Sequence, residues 1–301
     1  MEIGNTMGSP MIIVFNPVAG RRRAHLLWRV LDVLVENGVR VELARTRRHG
    51  HATDLAREAA RTGASLVVAA GGDGTVAEVA TGLLGSPARL GIIPLGTANV
   101  LALELGLARQ PSAIAAALAF GRTRPLWPGV ADSADGSRLF VQMLGAGLDA
   151  QVVHALRLRL WLKRLLGRGA YVLQTLGEAV GYGTMPLRVR IDGRELAASS
   201  VVVCKGRLYG GPYMLAPDAD SCAPGFSVAL FGAGGALATL RYGAALPLNR
   251  LPRCPGLTLL RGSEIEIRAD GGVPLQTDGD PAGHTPVLIR DAAAAIDVVV
   301  G

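Results

Sequence analysis

The stretch that decides the fold is SLVVAAGGDGTVAEVATGLL, residues 65–84. Its apolar start, residues 65–70, predicts a buried strand, the glycines of residues 71–75 predict a tight turn, and the apolar spacing from Val76 to Leu84 predicts a helix. Backbone N–H groups of a glycine turn can approach a phosphate closely, and the N-terminus of the following helix adds a favourable partial charge. The pattern predicts an anion-binding turn or, as for many isolated GDG sequences, an ordinary tight turn.

The flanking sequence repeats this alternation of strand and helix. An apolar run at residues 11–15 is followed by the turn NPVAG (16–20), and another at residues 90–93 by PLGTAN (94–99). This alternation predicts a mainly parallel sheet, in which the carboxyl ends of the strands share one edge, where ligands usually bind. The glycine spacing matches neither the GxGxxG of a dinucleotide site nor the GxxxxGK[ST] of a P-loop. We therefore expect an α/β domain over residues 1–125 that binds phosphate by another arrangement.

The second part of the chain changes to the two-residue period of half-buried strands. Apolar and charged residues alternate over residues 187–192 and 264–268, and an Asp-Gly turn closes each run. This predicts a mainly β C-terminal domain, an antiparallel sandwich over residues 126–287, with residues 288–301 available to complete the first domain. The segment 154–182 departs from the pattern, and it is compatible with a basic amphipathic membrane helix or with a helix packed on the β domain.

Composition limits the class of protein. The chain of 301 residues is 50% hydrophobic and 18% charged, which excludes a disordered polymer. Its formal net charge of +7 indicates anionic partners, such as nucleotide phosphates or acidic lipid head groups, or a basic surface kept for solubility. The three cysteines have no zinc-site spacing, and no nucleic-acid motif is evident. The longest charge-free stretch, residues 221–240, contains Pro224 and four glycines, so we expect no membrane-spanning helix.

Four motifs together resemble one family of kinases. NPVAG, Thr46 with the GHA of residues 50–52, GGDGTVAEV and PLGTAN occur in the order and at the spacing of the diacylglycerol kinase catalytic-domain family, which also contains sphingosine kinases and bacterial lipid kinases. The resemblance extends over the whole chain. It implies a Rossmann-like first domain similar to those of NAD kinases and phosphofructokinases. It also implies a cytoplasmic lipid kinase that uses ATP and Mg²⁺, with diacylglycerol as the first candidate acceptor.

The resemblance also implies which residues line the ATP site. They are Asn16, Pro17, Val18, Ala19, Gly20, Thr46, Gly71, Gly72, Asp73, Gly74, Thr75, Glu78, Gly96 and Thr97. Asp73 would act near the phosphates and the ATP-bound magnesium. Asp278 would be the general base that accepts the proton of the lipid hydroxyl, and Asp280 stands where the family has a glutamate. A plain β-turn is the alternative interpretation of TDGD, residues 277–280.

Two positions depart from the family pattern. Many members have an aspartate after the Asn of GTxN, where this chain has Val100, so one acidic group is missing near the active site. The family segment that matches residues 216–226 commonly ends in Asp-Gly, and its aspartate helps to hold a structural magnesium. Here Pro224 stands in that place, and proline has no side-chain ligand. We therefore predict no such metal site, with Asp218 and Asp220 as the only carboxylates proposed to replace the ligand.

Two other functions stay open on the sequence alone. One is a kinase of a soluble substrate of the NAD kinase type, although the Asn-Glu pair of NAD kinases is absent from this chain. The other is a catalytically silent protein that binds nucleotide or lipid, which the missing acidic groups would allow. For the lipid kinase we expect a lipid substrate, peripheral contact with an acidic membrane surface at its inner face, and no nucleic acid.

Overall fold

The computed structural model describes residues 10–19, 23–147, 186–232 and 234–301. Two features of the sequence, Gly20 and the segment 154–182, lie outside the described residues. The chain divides into two compact units, one formed by Met1–Leu126 with Ala294–Gly301 and the other by Trp127–Ala293. Each unit has its own sheets and its own hydrophobic core.

The first unit is built on a six-stranded sheet. Its strands are β1 (Met11–Phe15), β2 (Val41–Arg45), β3 (Leu66–Gly71), β4 (Arg89–Pro94), β5 (Arg122–Leu126) and, from the end of the chain, β20 (Ile296–Val300). Its helices are α1 (Ala24–Glu36), α2 (His51–Arg61), α3 (Asp73–Leu83), α4 (Val100–Glu104) and α5 (Pro111–Phe120). The strand order is β2-β1-β3-β4-β20-β5, and every neighbouring pair is parallel except β20 with β5.

The helices and strands of this unit follow from the spacing of their apolar residues. In α1, Leu27, Val30 and Leu34 recur at helical spacing and are fully or almost fully buried. All six residues of β3 are buried, as expected for a central strand of a parallel sheet. Helix α1 is followed by Gly38, whose φ of +75° is the left-handed conformation that commonly terminates helices. The parallel α/β domain expected from the sequence is confirmed.

Helix α3 begins three residues earlier than its apolar spacing predicts. The helix was expected from Val76, but it starts at Asp73, directly after the extended N-cap residue Gly72. The acidic side chain explains the earlier start, because a carboxylate in the first turn of a helix is stabilised by the helix dipole. GGDGT is therefore a two-glycine turn followed by the first turn of α3, so helical N–H groups lie immediately at the end of β3.

The second unit is mainly antiparallel β. Its strands are β6 (Gly129–Ser133), β7 (Gly136–Phe140), β8 (Met143–Ala146), β9 (Leu187–Ile191), β10 (Arg194–Ala198), β11 (Ser200–Cys204), β12 (Leu208–Tyr209), β13 (Tyr213–Met214), β14 (Phe226–Phe231), β15 (Leu257–Gly262), β16 (Glu264–Arg268), β17 (Pro274–Thr277), β18 (Asp280–His284) and β19 (Val287–Asp291). It also contains helix α6 (Ala236–Ala245) and a 3₁₀ turn at Leu251–Arg253. Two six-stranded sheets have the orders β10-β9-β16-β19-β6-β7 and β15-β14-β11-β8-β17-β18, and β12 pairs with β13.

The two large sheets of this unit share one core. Val189 and Ile265 from the first sheet are buried in the same cluster as Val203 and Val228 from the second. In β9 the apolar residues are buried and both arginines are exposed, as the two-residue period of the sequence predicts. The expected antiparallel sandwich is confirmed.

The end of the chain is divided between the two units. Strand β19 pairs with β16 and β6, so residues 287–291 belong to the second unit. Only β20 returns to the first unit, and the division falls between Ala293 and Ala294 rather than at the expected residue 287. Among the residues described above, no helix is long and apolar enough to cross a membrane.

Candidate active site

The turn after β1 is tied to the GGDGT turn by Asn16. Its Nδ2 donates to Oγ1 of Thr75 at 3.0 Å, and its Oδ1 accepts the N–H groups of Val18 and Ala19 at 3.0 and 3.4 Å. The main-chain N–H of Asn16 donates to the carbonyl of Ala70 at 3.0 Å. One asparagine side chain therefore shapes its own turn and fixes it to the start of α3.

The GGDGT and PLGTAN turns touch through their backbones. A Cβ added to Gly96 would lie 2.5 Å from the Cα of Gly72, and one added to Gly71 would lie 2.4 Å from Oγ1 of Thr75. The N–H groups of Leu95 and Gly96 both donate to the carbonyl of Gly71, at 2.8 and 3.2 Å. None of these three glycines has a positive φ. Glycine is needed at position 96 because the backbone of Gly72 lies close, and at position 71 because the Thr75 side chain leaves no room for a Cβ atom.

Asp73 connects the same two turns through its side chain. Its Oδ1 accepts the N–H of Leu101, in the first turn of α4, at 3.3 Å. Burial raises the pKa of the Asp73 carboxyl above its usual value, while the backbone N–H groups of residues 99–101 and of Asp73 itself act to lower it. Burial therefore makes the ionised form of this acid costly, and a nearby cation would favour it.

Glu78 holds the GHA turn against α3. Its Oε1 accepts the N–H of Gly50 at 2.9 Å, and its Oε2 accepts the N–H of Ala52 at 3.1 Å. The hydroxyl of Thr53 donates to the main-chain carbonyl of Glu78 at 2.9 Å. The carboxylate expected to line the ATP site thus accepts two N–H groups at the N-terminus of α2 and joins the GHA turn to α3.

The remaining expected residues lie at the same edge of the sheet. Thr46 follows β2, is buried, and donates its main-chain N–H to the carbonyl of Phe15 at 2.9 Å. Thr97 is exposed beside Gly96, and Val18 is exposed over 74% of its surface. The structure therefore gathers the three turn motifs of the first unit at the carboxyl ends of β1, β3 and β4, where ligands of parallel sheets bind.

In the second unit, TDGD forms a tight hairpin between β17 and β18. Asp278 and Gly279 have φ values of +49° and +85°, the left-handed pair typical of a type I′ turn, and Thr277 pairs with Asp280. The carboxylate of Asp278 accepts three backbone N–H groups, from residues 141–143, at 2.7, 2.9 and 2.9 Å. The hairpin is thereby anchored to the connection between β7 and β8.

These contacts bear on the proton-accepting role expected for Asp278. Three N–H donors fix the orientation of its carboxylate, and they compete with a substrate hydroxyl for its lone pairs. Asp280 stands two residues further on, half-buried at the start of β18. These contacts hold Asp278 and its hairpin in position, and the roles expected for Asp278 and Asp280 in proton transfer stay predictions.

Metal ligands are scarce in the part of the chain that the structure describes. There, no group of three or more His, Cys, Asp or Glu side chains lies close enough to hold a metal ion. Asp220, one of the two carboxylates considered for a structural magnesium, accepts the N–H of Cys222 at 2.9 Å through its Oδ1. That contact belongs to the fold of its own loop.

Comparison with known families identifies both units. Residues 10–130 match the model of the diacylglycerol kinase catalytic domain, and residues 142–300 match that of the YegS C-terminal NAD kinase beta sandwich-like domain. The chain belongs to the diacylglycerol kinase catalytic-domain family. Its two structural units thus correspond to the two parts of a lipid kinase, and the resemblance found in the motifs is confirmed.

Several relatives match along most of their length. A probable lipid kinase YegS-like protein of Chromohalobacter salexigens is 34% identical over 262 residues, which cover 83% of this chain and 80% of that protein. The diacylglycerol kinase of Bacillus subtilis is 26% identical over 281 residues, covering 91% and 90%. The crystal structure of a putative diacylglycerol kinase from Bacillus anthracis has a TM-score of 0.79 at 23% identity and covers 98% of both chains, which shows a shared fold.

Asn99 lies in the PLGTAN turn but was not among the residues expected to line the ATP site. It has a φ of +50° at the start of α4, and its Nδ2 donates to the carbonyl of Gly96 at 2.8 Å. Its Oδ1 is buried and accepts no hydrogen bond from any residue that the structure describes. The sequence feature that could have marked this residue is an asparagine directly before the apolar run of α4. Asparagine tolerates the left-handed conformation and is favoured at helix starts.

Proposed function

We propose that this protein transfers the γ-phosphoryl group of ATP to a hydroxyl group of a lipid, with diacylglycerol as the first candidate acceptor. The observation that carries the proposal is the contact between the GGDGT and PLGTAN turns at Gly72 and Gly96, with the Asp73 carboxylate beside it. Phosphoryl transfer is catalysed mainly by positioning and by stabilising charge. In a member of the lipid kinase family, the two glycine turns would position the phosphates, and Asp73 would help to stabilise the charge through the bound metal ion.

The phosphates would be held by backbone N–H groups at the start of α3. The first N–H groups of a helix have no intrahelical partners, and the helix dipole favours negative charge there. Gly71 and Gly72 place no Cβ atom over this turn, so phosphate oxygens can reach the N–H groups. Asn16 keeps the preceding turn fixed to Thr75 and so forms the adjoining wall of the nucleotide site.

Asp73 fits a magnesium ion that arrives with the nucleotide. Kinases bind Mg²⁺ through one or two carboxylates together with phosphate oxygens. Asp73 offers such a carboxylate in the GGDGT turn, next to the helix that follows PLGTAN. When bound, the ion would neutralise charge on the transferring phosphoryl group. Asp73 would become more acidic beside it, since a cation opposes the effect of burial on its pKa.

The TDGD hairpin would supply the group that accepts the proton of the lipid hydroxyl. Because the carboxylate of Asp278 already accepts three N–H groups, its role would be to position the hairpin. Asp280, which stands where the family has a glutamate, would accept the proton. The shorter aspartate side chain requires the hairpin to be held accurately, and the Asp278 contacts provide that support.

The membrane surface would present the lipid. A net charge of +7 supports peripheral contact with acidic head groups, at the cytoplasmic face of the membrane. The mainly β second unit would bind the lipid acceptor.

The test is a transfer assay with γ-labelled ATP, Mg²⁺ and mixed micelles that contain diacylglycerol, a sphingoid base or a total lipid extract. Label in the organic phase with diacylglycerol supports the proposal, and label with the extract alone moves the acceptor to another lipid. Label on NAD, offered in parallel, would indicate a soluble-substrate kinase. Calorimetric ATP binding without transfer to any acceptor would indicate a catalytically silent protein.

A further inference from the structure

Lys205 is a buried cation held entirely by oxygen atoms of the second unit. It follows β11 directly, and its side chain has no exposed surface. Its Nζ donates to the carbonyls of Ala223 and Gly225 at 3.0 and 2.9 Å and to Oδ1 of Asp291 at 2.7 Å. The Phe226 ring, whose centroid is 4.8 Å from Nζ, closes the site with a cation–π contact.

The ligands of this ammonium are those that proteins offer to a hard divalent cation. Two backbone carbonyls and a carboxylate are typical donors to Mg²⁺ or Ca²⁺. An ammonium group has three N–H donors, and here all three meet an oxygen. The site is thus a cation site whose cation is attached covalently to the chain.

Asp291 completes the site from the end of β19. While its Oδ1 accepts from Lys205, its Oδ2 accepts the N–H of Gly225 at 2.6 Å. Burial lowers the pKa of the Lys205 ammonium, and the carboxylates of Asp291 and Asp220 oppose that change. The ammonium and Asp291 therefore tie the loop before β14 to β19.

The same loop is the one in which the family resemblance implies a structural magnesium. The chain has Pro224 at the position of the family's aspartate, between the two carbonyls that Lys205 binds. A metal ion bound to these oxygens would meet the ammonium at close range, and like charges in a buried site repel strongly. The residues present therefore do not fit the ion.

We propose that the Lys205 ammonium replaces the structural divalent cation of this family, so that the loop of residues 216–226 folds without metal. The two changes then compensate for each other. Pro224 removes a carboxylate ligand of the metal, and Lys205 supplies the positive charge in its place. The inference concerns the stability of the second unit and does not depend on the proposed kinase activity.

The first test measures bound metal and thermal stability of the full-length protein without nucleotide. We expect no stoichiometric Mg²⁺ or Ca²⁺ by elemental analysis, and the same Tm in EDTA and in excess Mg²⁺. A Tm that falls in EDTA and recovers with Mg²⁺ overturns the proposal. So does an ion that is retained in the Asp73→Asn variant, because that ion cannot belong to the nucleotide site.

The second test rebuilds the metal site. The double variant Lys205→Met/Pro224→Asp removes the ammonium and restores the carboxylate, so its Tm should rise in Mg²⁺ or Ca²⁺ and fall in EDTA. The matched control is Pro224→Asp alone, in which the ammonium remains and the Tm should not respond to metal. A metal-dependent Tm in this control overturns the proposal even if the double variant fails to fold.

Discussion

The two units hold their acidic groups in opposite ways. In the first unit, Asp73 accepts the N–H of Leu101 at 3.3 Å, and burial raises its pKa although the N–H groups of residues 99–101 and of Asp73 itself oppose that change. In the second unit, the Asp278 carboxylate gathers three N–H groups at 2.7 to 2.9 Å. The first acid is held in an environment that disfavours its charge, and the second holds the surrounding backbone together. Function and stability should therefore respond differently to the loss of each.

The largest effect should come from Asp73→Asn, which removes the carboxylate proposed to act beside the phosphates. We expect kcat to fall roughly 10³-fold, as for the loss of a preorganised charged group. Because the pKa of Asp73 is raised in the folded protein above 3.8, its ionisation costs folding free energy as the pH rises past that value. The Asn variant should therefore be as stable as the wild type in acid and more stable at neutral pH.

Denaturant unfolding of the wild type and of Asp73→Asn, from acid to neutral pH, measures which of the two is more stable at each pH. A variant that is less stable than the wild type at neutral pH would show that Asp73 contributes to the fold, and the contrast with Asp278 would disappear.

Asp280→Asn should have the next largest effect on activity. If Asp280 accepts the proton, kcat falls about 10²-fold or more. Asp280 is half-buried at the start of β18, so the change can also lower the free energy of unfolding. The transfer assay combined with a urea titration separates the two effects, and near wild-type turnover would exclude Asp280 as the base.

Asp278→Asn should act mainly on stability. The amide retains one acceptor oxygen but turns an NH₂ group toward the N–H donors of residues 141–143, so we expect a loss of about 1–3 kcal/mol. A urea titration measures it, with Asp32→Asn, the same change at an exposed position of α1, as the control. An unchanged midpoint for Asp278→Asn would contradict the anchoring role.

Gly96→Ala tests the backbone contact that joins the two turns of the first unit. The new Cβ would lie 2.5 Å from the Cα of Gly72, so the turns must separate, at a cost of about 1–3 kcal/mol. ATP affinity should fall with stability. Gly243→Ala is the control, because no atom lies within 4 Å of its added Cβ in α6 and the change should stabilise the helix by about 0.5–1 kcal/mol.

The smallest effect should come from Glu78→Gln. The amide keeps one oxygen for the N–H groups at the start of α2 but loses the charge that the helix dipole favours, so stability should fall by about 0.5–1 kcal/mol. Calorimetry should show a parallel, modest loss of ATP affinity. A large loss of affinity without loss of stability would instead place Glu78 in direct contact with the nucleotide.

The sequence predicted the position of the motif residues in the first unit, but it could not predict the contacts of Asp278 in the second. Gly72, Gly96 and Asn16 lie in motifs at the ends of regular strands, so local pattern and parallel-sheet topology were enough to place them on one edge. The partners of Asp278 are backbone N–H groups in another part of the chain, and every residue type except proline supplies such a donor. No side-chain pattern therefore marks them.

The burial of Lys205 could not be predicted from the sequence either. Lysine at the end of an apolar strand is ordinarily solvated, and only the fold brings Asp291 and two carbonyls to it. The start of α3 was predicted three residues too late. Apolar spacing marks where a helix has a buried face, whereas Asp73 begins the helix through its charge.

Strand β20 has a consequence for the order in which the protein is made. It lies between β4 and β5, yet the whole second unit is synthesised between β5 and β20. The nascent first unit therefore has a gap in its sheet, between two strands whose edges can pair with other chains. The second unit, whose strands are contiguous in sequence, can close first. The unit that is translated first can thus complete its sheet only after β20 has been made.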